Sequence, residues 1–294
     1  MSAFAVFGNP IGHSKSAEIY ALFANEAGIK KEYDLKLVSQ NNFENLLYNF
    51  FKSDGLGANI TAPFKERAYF ICHQLTERAV LARSVNTIKK LKNEILLGDN
   101  TDGIGFISDL KRLNWINDNN HLTTATTPHE KSMKINILLI GAGGASKGIL
   151  LALLSEVTEC YIHIVNRTFH TAQKLVSYCH KIGYKNVSCM PLFELVGNHD
   201  NKYSLIINAT TSSMVNTIPN IPPSIITPLT KCYDLFYQKK DTPFITWCKN
   251  HGSNYCSDGL GMLVEQAAHA FLLWHNLFPS VDPILNHLRS TLYT

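Results

Sequence analysis

Residues 141 to 146 read Gly141-Ala142-Gly143-Gly144-Ala145-Ser146, directly after the apolar run INILLI and directly before a stretch with helical spacing. Glycines at such a point let the backbone turn tightly and approach a pyrophosphate, and the following helix N-terminus presents free N–H groups to it. The strand–turn–helix context is what gives the string its meaning. The third glycine of the usual fingerprint is replaced by Ser146, which is small but not glycine. A glycine turn that only lets a helix pack on a strand is the plainer reading, and the context favours phosphate binding over it. The next strand ends at Asn166-Arg167-Thr168, where an NAD enzyme places an Asp or Glu on the ribose 2′-hydroxyl. An acidic residue would repel a 2′-phosphate, whereas an arginine pairs with it and stacks on adenine. The expected cofactor is therefore NADP.

A second group of polar residues lies in the first third of the chain. Ser14 and Ser16 precede a helix that starts near Ala17. One of them is expected to cap it, and two hydroxyls at a helix start can also hold a carboxylate. In Gly57-Ala58-Asn59-Ile60-Thr61 the residues alternate, so Asn59 and Thr61 share one face of a strand. Buried polar groups need partners, at a cost of roughly 1–3 kcal/mol each if unpaired. A polyhydroxylated ligand would serve, and so would an inter-strand hydrogen bond. Lys65 follows Pro63 at the start of a helix, where a cation is disfavoured and more easily gives up a proton. Asp102, in the string GDNTDG, starts another helix and is at home in the field of its first turn.

The elements that must position these residues alternate between strand and helix. In the first hundred residues, strands are expected at 3–7, 33–38 and 57–61 and helices at 17–27 and 42–51. A helix is expected to start at Pro63, and 84–90 with 95–98 read as a short hairpin. A helix is expected at 101–115. Residues 117–134, NDNNHLTTATTPHEKSMK, are polar and without periodicity and read as an exposed insertion. A second series starts at Ile135, with strands INILLIG, YIHIVN, YSLIINAT and KCYDLFY. Its helices are expected at 145–154, 171–181, 242–250, 259–276 and 283–292. Alternation of this kind argues for mostly parallel, helix-covered α/β sheets.

Composition fits this picture. A chain of 294 residues exceeds one typical core and suits two domains. The net charge of +4 fits an anionic small substrate, and without a dense Lys/Arg stripe nucleic acid is not expected. Seven scattered cysteines without a CxxC pair read as reduced thiols, so neither a disulfide framework nor a metal site is expected. The start, MSAFAVFGNPIGHS, lacks the basic region of a signal peptide, and no apolar stretch reaches the roughly 18 residues of a membrane span. The expected location is the cytoplasm.

Together these strings resemble the shikimate dehydrogenase family along nearly the whole chain. They are VFGNPIGHSKS at 6–16, GANITAPFKE at 57–66, SVNT at 84–87, GDNTDGIGF at 98–106 and LLIGAGGASKGIL at 138–150. They continue with VNRT at 165–168, INAT at 207–210, YDLFYQKKDTPF at 233–244 and DGLGMLVEQAAHAFLLW at 258–274. The resemblance implies two α/β domains with the active site in the cleft between them. Residues 1–102 would form a substrate-binding domain, 103–258 a Rossmann-type NADP-binding domain carrying the insertion at 117–134, and 259–294 C-terminal helices returning to the first domain. It also implies roles. Lys65 and Asp102 would flank the reacting oxygen as the catalytic pair. Ser14, Ser16, Thr61, Asn86, Tyr237 and Gln266 would bind shikimate or 3-dehydroshikimate, with Asn59 shaping the pocket. Gly141, Ala142, Gly143, Gly144 and Ala145 would hold the pyrophosphate, and Asn166, Arg167, Thr168 and Thr171 the 2′-phosphate end. Leu235 and Gly259 would line the nicotinamide, with Glu77 at the cofactor region.

The chain departs from the family pattern at several points. Ala17 and Tyr20 stand where a proline and a histidine are usual, and Thr171 stands where a second basic residue is common. A glycine usual near Ser213 is missing, which leaves the geometry of that loop open. The expected activity is NADPH-dependent reduction of 3-dehydroshikimate in aromatic amino-acid biosynthesis. A quinate/shikimate dehydrogenase using NAD is the nearest alternative, and Arg167 argues against it. A catalytically silent NADP-binding regulator would have no need of Lys65 and Asp102. A monomer and a homodimer both fit the sequence.

Overall fold

A computed structural model of the chain describes residues 3–12, 14–30, 32–117, 119, 121–123, 135–197 and 202–293. Most of the expected insertion at 117–134 lies outside the described residues. The chain divides into two compact units, one of residues 1–106 and 263–288, the other of 107–262 and 289–294.

The first unit is built on a six-stranded sheet. Its strands are β1 (Phe4–Gly8), β2 (Tyr33–Leu37), β3 (Gly57–Ile60), β4 (Gln74–Leu75), β5 (Thr87–Lys90) and β6 (Leu96–Asp99), in the order β2-β1-β3-β5-β6-β4. β1 pairs in parallel with β2 and β3, whereas β5 runs antiparallel to both β3 and β6. The sheet is thus mixed, and the expected hairpin is β5–β6.

Period-2 alternation decides which side chains meet which helices. Ala5, Phe7, Ala58, Ile60 and Ile88 pack with Phe43, Leu47 and Phe51 of the helix Phe43–Lys52, and with Ala68 of the helix Lys65–Ile71. On the other side Phe4 meets Trp274 at 4.8 Å between ring centroids, and Trp274 Nε1 donates to Ile88 O at 3.0 Å. Trp274 belongs to the helix Leu260–His275, whose Phe271 packs edge-on to Phe23 of the helix Ser16–Glu26.

The second unit holds an all-parallel sheet of β7 (Ile135–Ile140), β8 (Cys160–Val165), β9 (Val187–Cys189), β10 (Leu205–Asn208), β11 (Lys231–Asp234) and β12 (Tyr255–Asp258), in the order β12-β11-β10-β7-β8-β9. The near-continuous apolar runs of β7 and β10 are those of strands buried on both faces. Leu138, Ile140, Ile206 and Cys232 pack with Phe244, Ile245 and Cys248 of the helix Pro243–Asn250. The neighbouring residue Tyr233 points the other way, donating its hydroxyl to Asp109 Oδ2 at 2.5 Å.

Several boundaries differ from the sequence reading. The helix expected from Pro63 starts at Lys65, and that expected from Thr171 starts at Phe169. β4, β9, β12 and the helices Glu77–Ala82 and Leu192–Gly197 were not expected. They are two to six residues long, too short to show a period. No helix among the described residues is long and apolar enough to cross a membrane.

Candidate active site

Lys65 is the first residue of the helix Lys65–Ile71, and Asp102 the first of the helix Asp102–Arg112. Lys65 Nζ donates to Asp102 Oδ2 at 2.7 Å. The other carboxylate oxygen, Oδ1, accepts from Asn86 Nδ2 at 2.9 Å, and the Asp102 backbone N–H donates to Asn100 Oδ1 at 3.1 Å. Asp102 is thereby held from three sides, and its buried negative charge is compensated by the lysine and by its own helix start. An ammonium has three N–H donors. Among the described residues, Lys65 uses one of them and stays partly open to solvent, its side chain 26% exposed.

Asn86 is the hub behind this pair. Besides Asp102, its Nδ2 reaches Thr101 Oγ1 at 3.0 Å and Gln266 Oε1 at 3.3 Å, and its Oδ1 accepts from the Thr101 backbone N–H at 2.8 Å. Lys65, Asn86, Asp102 and Gln266, named from the sequence, are therefore brought together within one unit. The hub continues inward, with Thr87 Oγ1 donating to Asn86 Oδ1 at 3.0 Å and Asn59 Nδ2 donating to Thr87 Oγ1 at 3.1 Å. Asn59 spends its side chain inside the sheet, its Oδ1 accepting from the Tyr33 hydroxyl at 2.7 Å. Asn59 thus makes the inter-strand hydrogen bonds that were one of its two readings. Thr61 sits just beyond β3, and its hydroxyl makes no hydrogen bond among the described residues.

The two serines do not cap their helix as expected. Lys15 occupies the N-cap position and makes no side-chain cap. Ser14 Oγ accepts weakly from the Ser16 N–H at 3.3 Å and donates to Ser16 Oγ at 3.1 Å, so the two hydroxyls form a pair. Glu77 opens the helix Glu77–Ala82 and is exposed, in the unit that holds Lys65 rather than the one that holds the glycine turn.

In the second unit the glycine turn stands at the mouth of a cavity of about 550 Å³. Gly141, Ala142, Gly143, Asn166 and Arg167 line it, together with Thr210, Ser212, Val215 and Ile218. Gly144, Ala145, Thr168 and Thr171 are not on its wall. Gly141 adopts φ +110°, which an L side chain rarely adopts, and a Cβ there would sit 3.0 Å from Ala209 O. A Cβ on Gly143 would meet nothing within 4 Å, which leaves the turn open to a ligand. The 13-residue helix Gly144–Glu156 has no side-chain cap, so its first N–H groups are free to bind an anion. Ser146, in its first turn, carries a buried hydroxyl without a partner among the described residues. These are features of a dinucleotide cradle.

Part of the cavity wall hangs on Asp234, which is fully buried and, among the described residues, makes no ion pair. Ser213 Oγ and Thr242 Oγ1 each donate to its Oδ2 at 2.6 Å, while Asn208 Nδ2 and the Phe236 N–H donate to its Oδ1, both at 3.1 Å. Burial pushes the Asp234 carboxyl above the ordinary range, and these hydrogen bonds oppose the shift. Asn208 passes the order on, its Oδ1 accepting from Thr210 Oγ1 at 2.7 Å. The missing glycine near Ser213 is bridged by a short turn, Ser213–Val215, closed by Asn216 at φ +56°. Sequence reasoning missed Asn208, Thr210, Ser212, Asp234, Asn100 and Thr101. The one available signal was the polarity of INAT and GDNTDG at the ends of apolar strands. Leu235 and Gly259 are neighbours, and a Cβ on Gly259 would fall 2.1 Å from Leu235 O. Tyr237 follows β11, with Phe236 stacked beside it.

Known proteins resemble this chain along its full length. Residues 6–88 match the model of the shikimate dehydrogenase substrate binding domain, 123–218 that of shikimate / quinate 5-dehydrogenase, and 259–289 that of the shikimate 5′-dehydrogenase C-terminal domain. The chain is 69% identical over 294 residues to the shikimate dehydrogenase (NADP(+)) of Blochmanniella pennsylvanica (strain BPEN), with all of both chains covered. It is 56% identical to the protein of the same name in Blochmanniella floridana, with 99% of each covered. Among solved structures, shikimate 5-dehydrogenase from Thermus thermophilus in complex with NADP(H) and shikimate is 26% identical, with a TM-score of 0.81 over 99% of this chain and 100% of that one.

Proposed function

The chain belongs to the shikimate dehydrogenase family, and we propose from this that it catalyses the reversible, NADP(H)-dependent interconversion of 3-dehydroshikimate and shikimate in the cytoplasm. The observation that carries the reading is the Lys65–Asp102 pair, joined through Asn86 to Thr101 and Gln266. The cofactor supplies the hydride when bound, held by Gly141 to Ala145 and by Arg167. The chain's own residues do the rest. In reduction, negative charge grows on the ketone oxygen. Lys65 Nζ, with two donors unspent among the described residues, hydrogen-bonds that oxygen and delivers the proton. Asp102 keeps the ammonium aimed, and Asn86 keeps Asp102 from turning. Gln266, Thr61 and Asn86 fit the ring hydroxyls, and the Ser14–Ser16 hydroxyl pair fits the carboxylate.

Arg167, on the wall of the cavity, supports NADP over NAD, because a guanidinium matches a phosphate in charge and in fork geometry. The test is to follow reduced-cofactor absorbance with shikimate, using NADP and then NAD, and to repeat it with quinate. Rapid turnover confined to shikimate and NADP is the expected result. Equal rates with quinate and NAD would replace this reading with a broader quinate/shikimate dehydrogenase. Tight NADP binding without turnover would overturn the catalytic reading.

A further inference from the structure

β2 is the outermost strand on one side of the first unit's sheet, and among the described residues no strand lies along its outer edge. Its hydrogen bonds to β1 use its even-numbered residues, as the bonds at its two ends show, from the Phe4 N–H to Glu32 O and from the Val38 N–H to Gly8 O. Tyr33, Leu35 and Leu37 therefore turn their N–H and C=O groups to the open side, which makes the edge a template for another strand. The side chains of these three residues share one face of the strand. Tyr33 is stacked there on Tyr20, but Leu35 stays 38% exposed and Leu37 68% exposed. Asp34 and Lys36 share the opposite face, partly exposed and 2.9 Å apart.

Charge on an open edge commonly guards it against pairing. A guard that repels a second copy needs charges of one sign, whereas here the two signs alternate and complement themselves about Leu35. Laid antiparallel to its own copy with Leu35 opposite Leu35, β2 sets Tyr33 opposite Leu37 and Asp34 opposite Lys36. Leu35–Leu35 and Tyr33–Leu37 are then the hydrogen-bonded pairs, because those residues hold the open backbone groups. Asp34–Lys36 falls on the alternate positions, where side chains stand closer together and opposite charges attract. A slip of one residue would set open backbone groups against spent ones. A slip of two in either direction would set Asp34 or Lys36 opposite itself. Backbone and charge thus select the same register, and that register has the two-fold axis on which most dimers are built. We propose that the open edge of β2 seats a second copy of this chain, joined antiparallel about Leu35 so that the two sheets become one. The exposed leucines then meet across the axis on one face, and four charges alternate in sign on the other. An edge of 5 residues is small beside the roughly 1,600 Å² of a standard interface, so the dimer forms and dissociates with concentration.

The test is sedimentation equilibrium of the full chain over a series of concentrations, repeated for two charge variants and for their mixture. The wild type is expected to pass from monomer to dimer as its concentration rises through the micromolar range, as small interfaces do. Asp34→Lys gives this face two positive charges and Lys36→Asp gives it two negative ones. Each variant alone opposes like charges across the axis and is expected to dimerise about tenfold or more weakly than the wild type. Mixing the two variants opposes unlike charges at every position, so a heterodimer of wild-type strength is expected. Mixing cannot restore the ion pair inside a single strand, and the rescue therefore reports on the contact between chains alone. Both side chains are partly exposed, so the variants should fold as the wild type does. A wild type that stays monomeric at every concentration would overturn the proposal. So would a dimer that neither variant weakens, or a mixture that associates no better than its components.

Discussion

Lys65 Nζ lies 2.7 Å from Asp102 Oδ2 although 37 residues separate the two in sequence. Each stands at the start of its own helix, and the fold sets the two starts side by side. A cation at a helix start is electrostatically misplaced, and the adjacent carboxylate offsets this. The pair therefore places an ammonium donor and its carboxylate partner side by side at two helix starts.

Replacing Lys65 removes the proton donor while leaving the hydroxyl and amide ligands in place. Lys65→Ala should lower kcat by about 10²–10⁴-fold, with a modest change in the KM for shikimate. Steady-state kinetics decide the matter, and an unaltered kcat removes Lys65 from the mechanism.

Arg167 is expected to act on the cofactor alone. Arg167→Ala should raise the KM for NADP about 10- to 100-fold, the loss of a charge-assisted hydrogen bond. The KM for NAD should hardly move, because the arginine has no phosphate to grip there. A parallel rise for both cofactors would place Arg167 on the shared part of the dinucleotide.

Two glycines should respond in opposite ways. A Cβ on Gly259 would lie 2.1 Å from the backbone oxygen of Leu235, which cannot yield as a side chain would. Gly259→Ala should cost about 1–3 kcal/mol of stability, read as a lower melting temperature. A Cβ on Gly143 meets nothing, so Gly143→Ala should melt normally and lose NADP affinity. Equal melting temperatures for the two variants would contradict the close approach at Leu235.

His269 should make stability sensitive to acid. Burial, helped by the nearby charge of Arg78 and opposed by Asp99, lowers its pKa from 6.5 to about 4. The folded state thus binds a proton less readily than the unfolded chain. The contribution is fully present above pH 6.5 and is lost as the pH falls from there to about 4. Melting temperatures across that window should fall more steeply for the wild type than for His269→Gln. Identical slopes would show that His269 titrates alike in both states.

Much of this architecture was legible because it is encoded locally. The apolar run of β7, the glycines behind it and the helix that follows are covalent neighbours, so their meaning does not depend on the rest of the chain. The short elements left no such signal. β12 carries Tyr255, Cys256 and Ser257, none of which announces a strand, and it exists because β11 offers it an edge. Asn59 shows the limit at a single residue. Its face of the strand follows from alternation, but whether it met a ligand or a neighbouring strand depended on where β2 and β5 would lie.

The sequence by itself determined the residue types and their local settings: a glycine turn ahead of a helix, an arginine instead of an acid after the next strand, and a lysine and an aspartate at two helix starts. These depend on backbone conformation and periodicity over a few residues, which propensity and spacing dictate. The tertiary structure decided who meets whom. The strand order β2-β1-β3-β5-β6-β4 brings Tyr33 of β2, Asn59 of β3 and Thr87 of β5 together across the sheet, and a hydrogen-bonded chain runs from Tyr33 through Asn59, Thr87 and Asn86 to Asp102. Such pairings join residues far apart along the chain, and they are chosen by the burial of whole sheet faces, a property that no single stretch of residues contains.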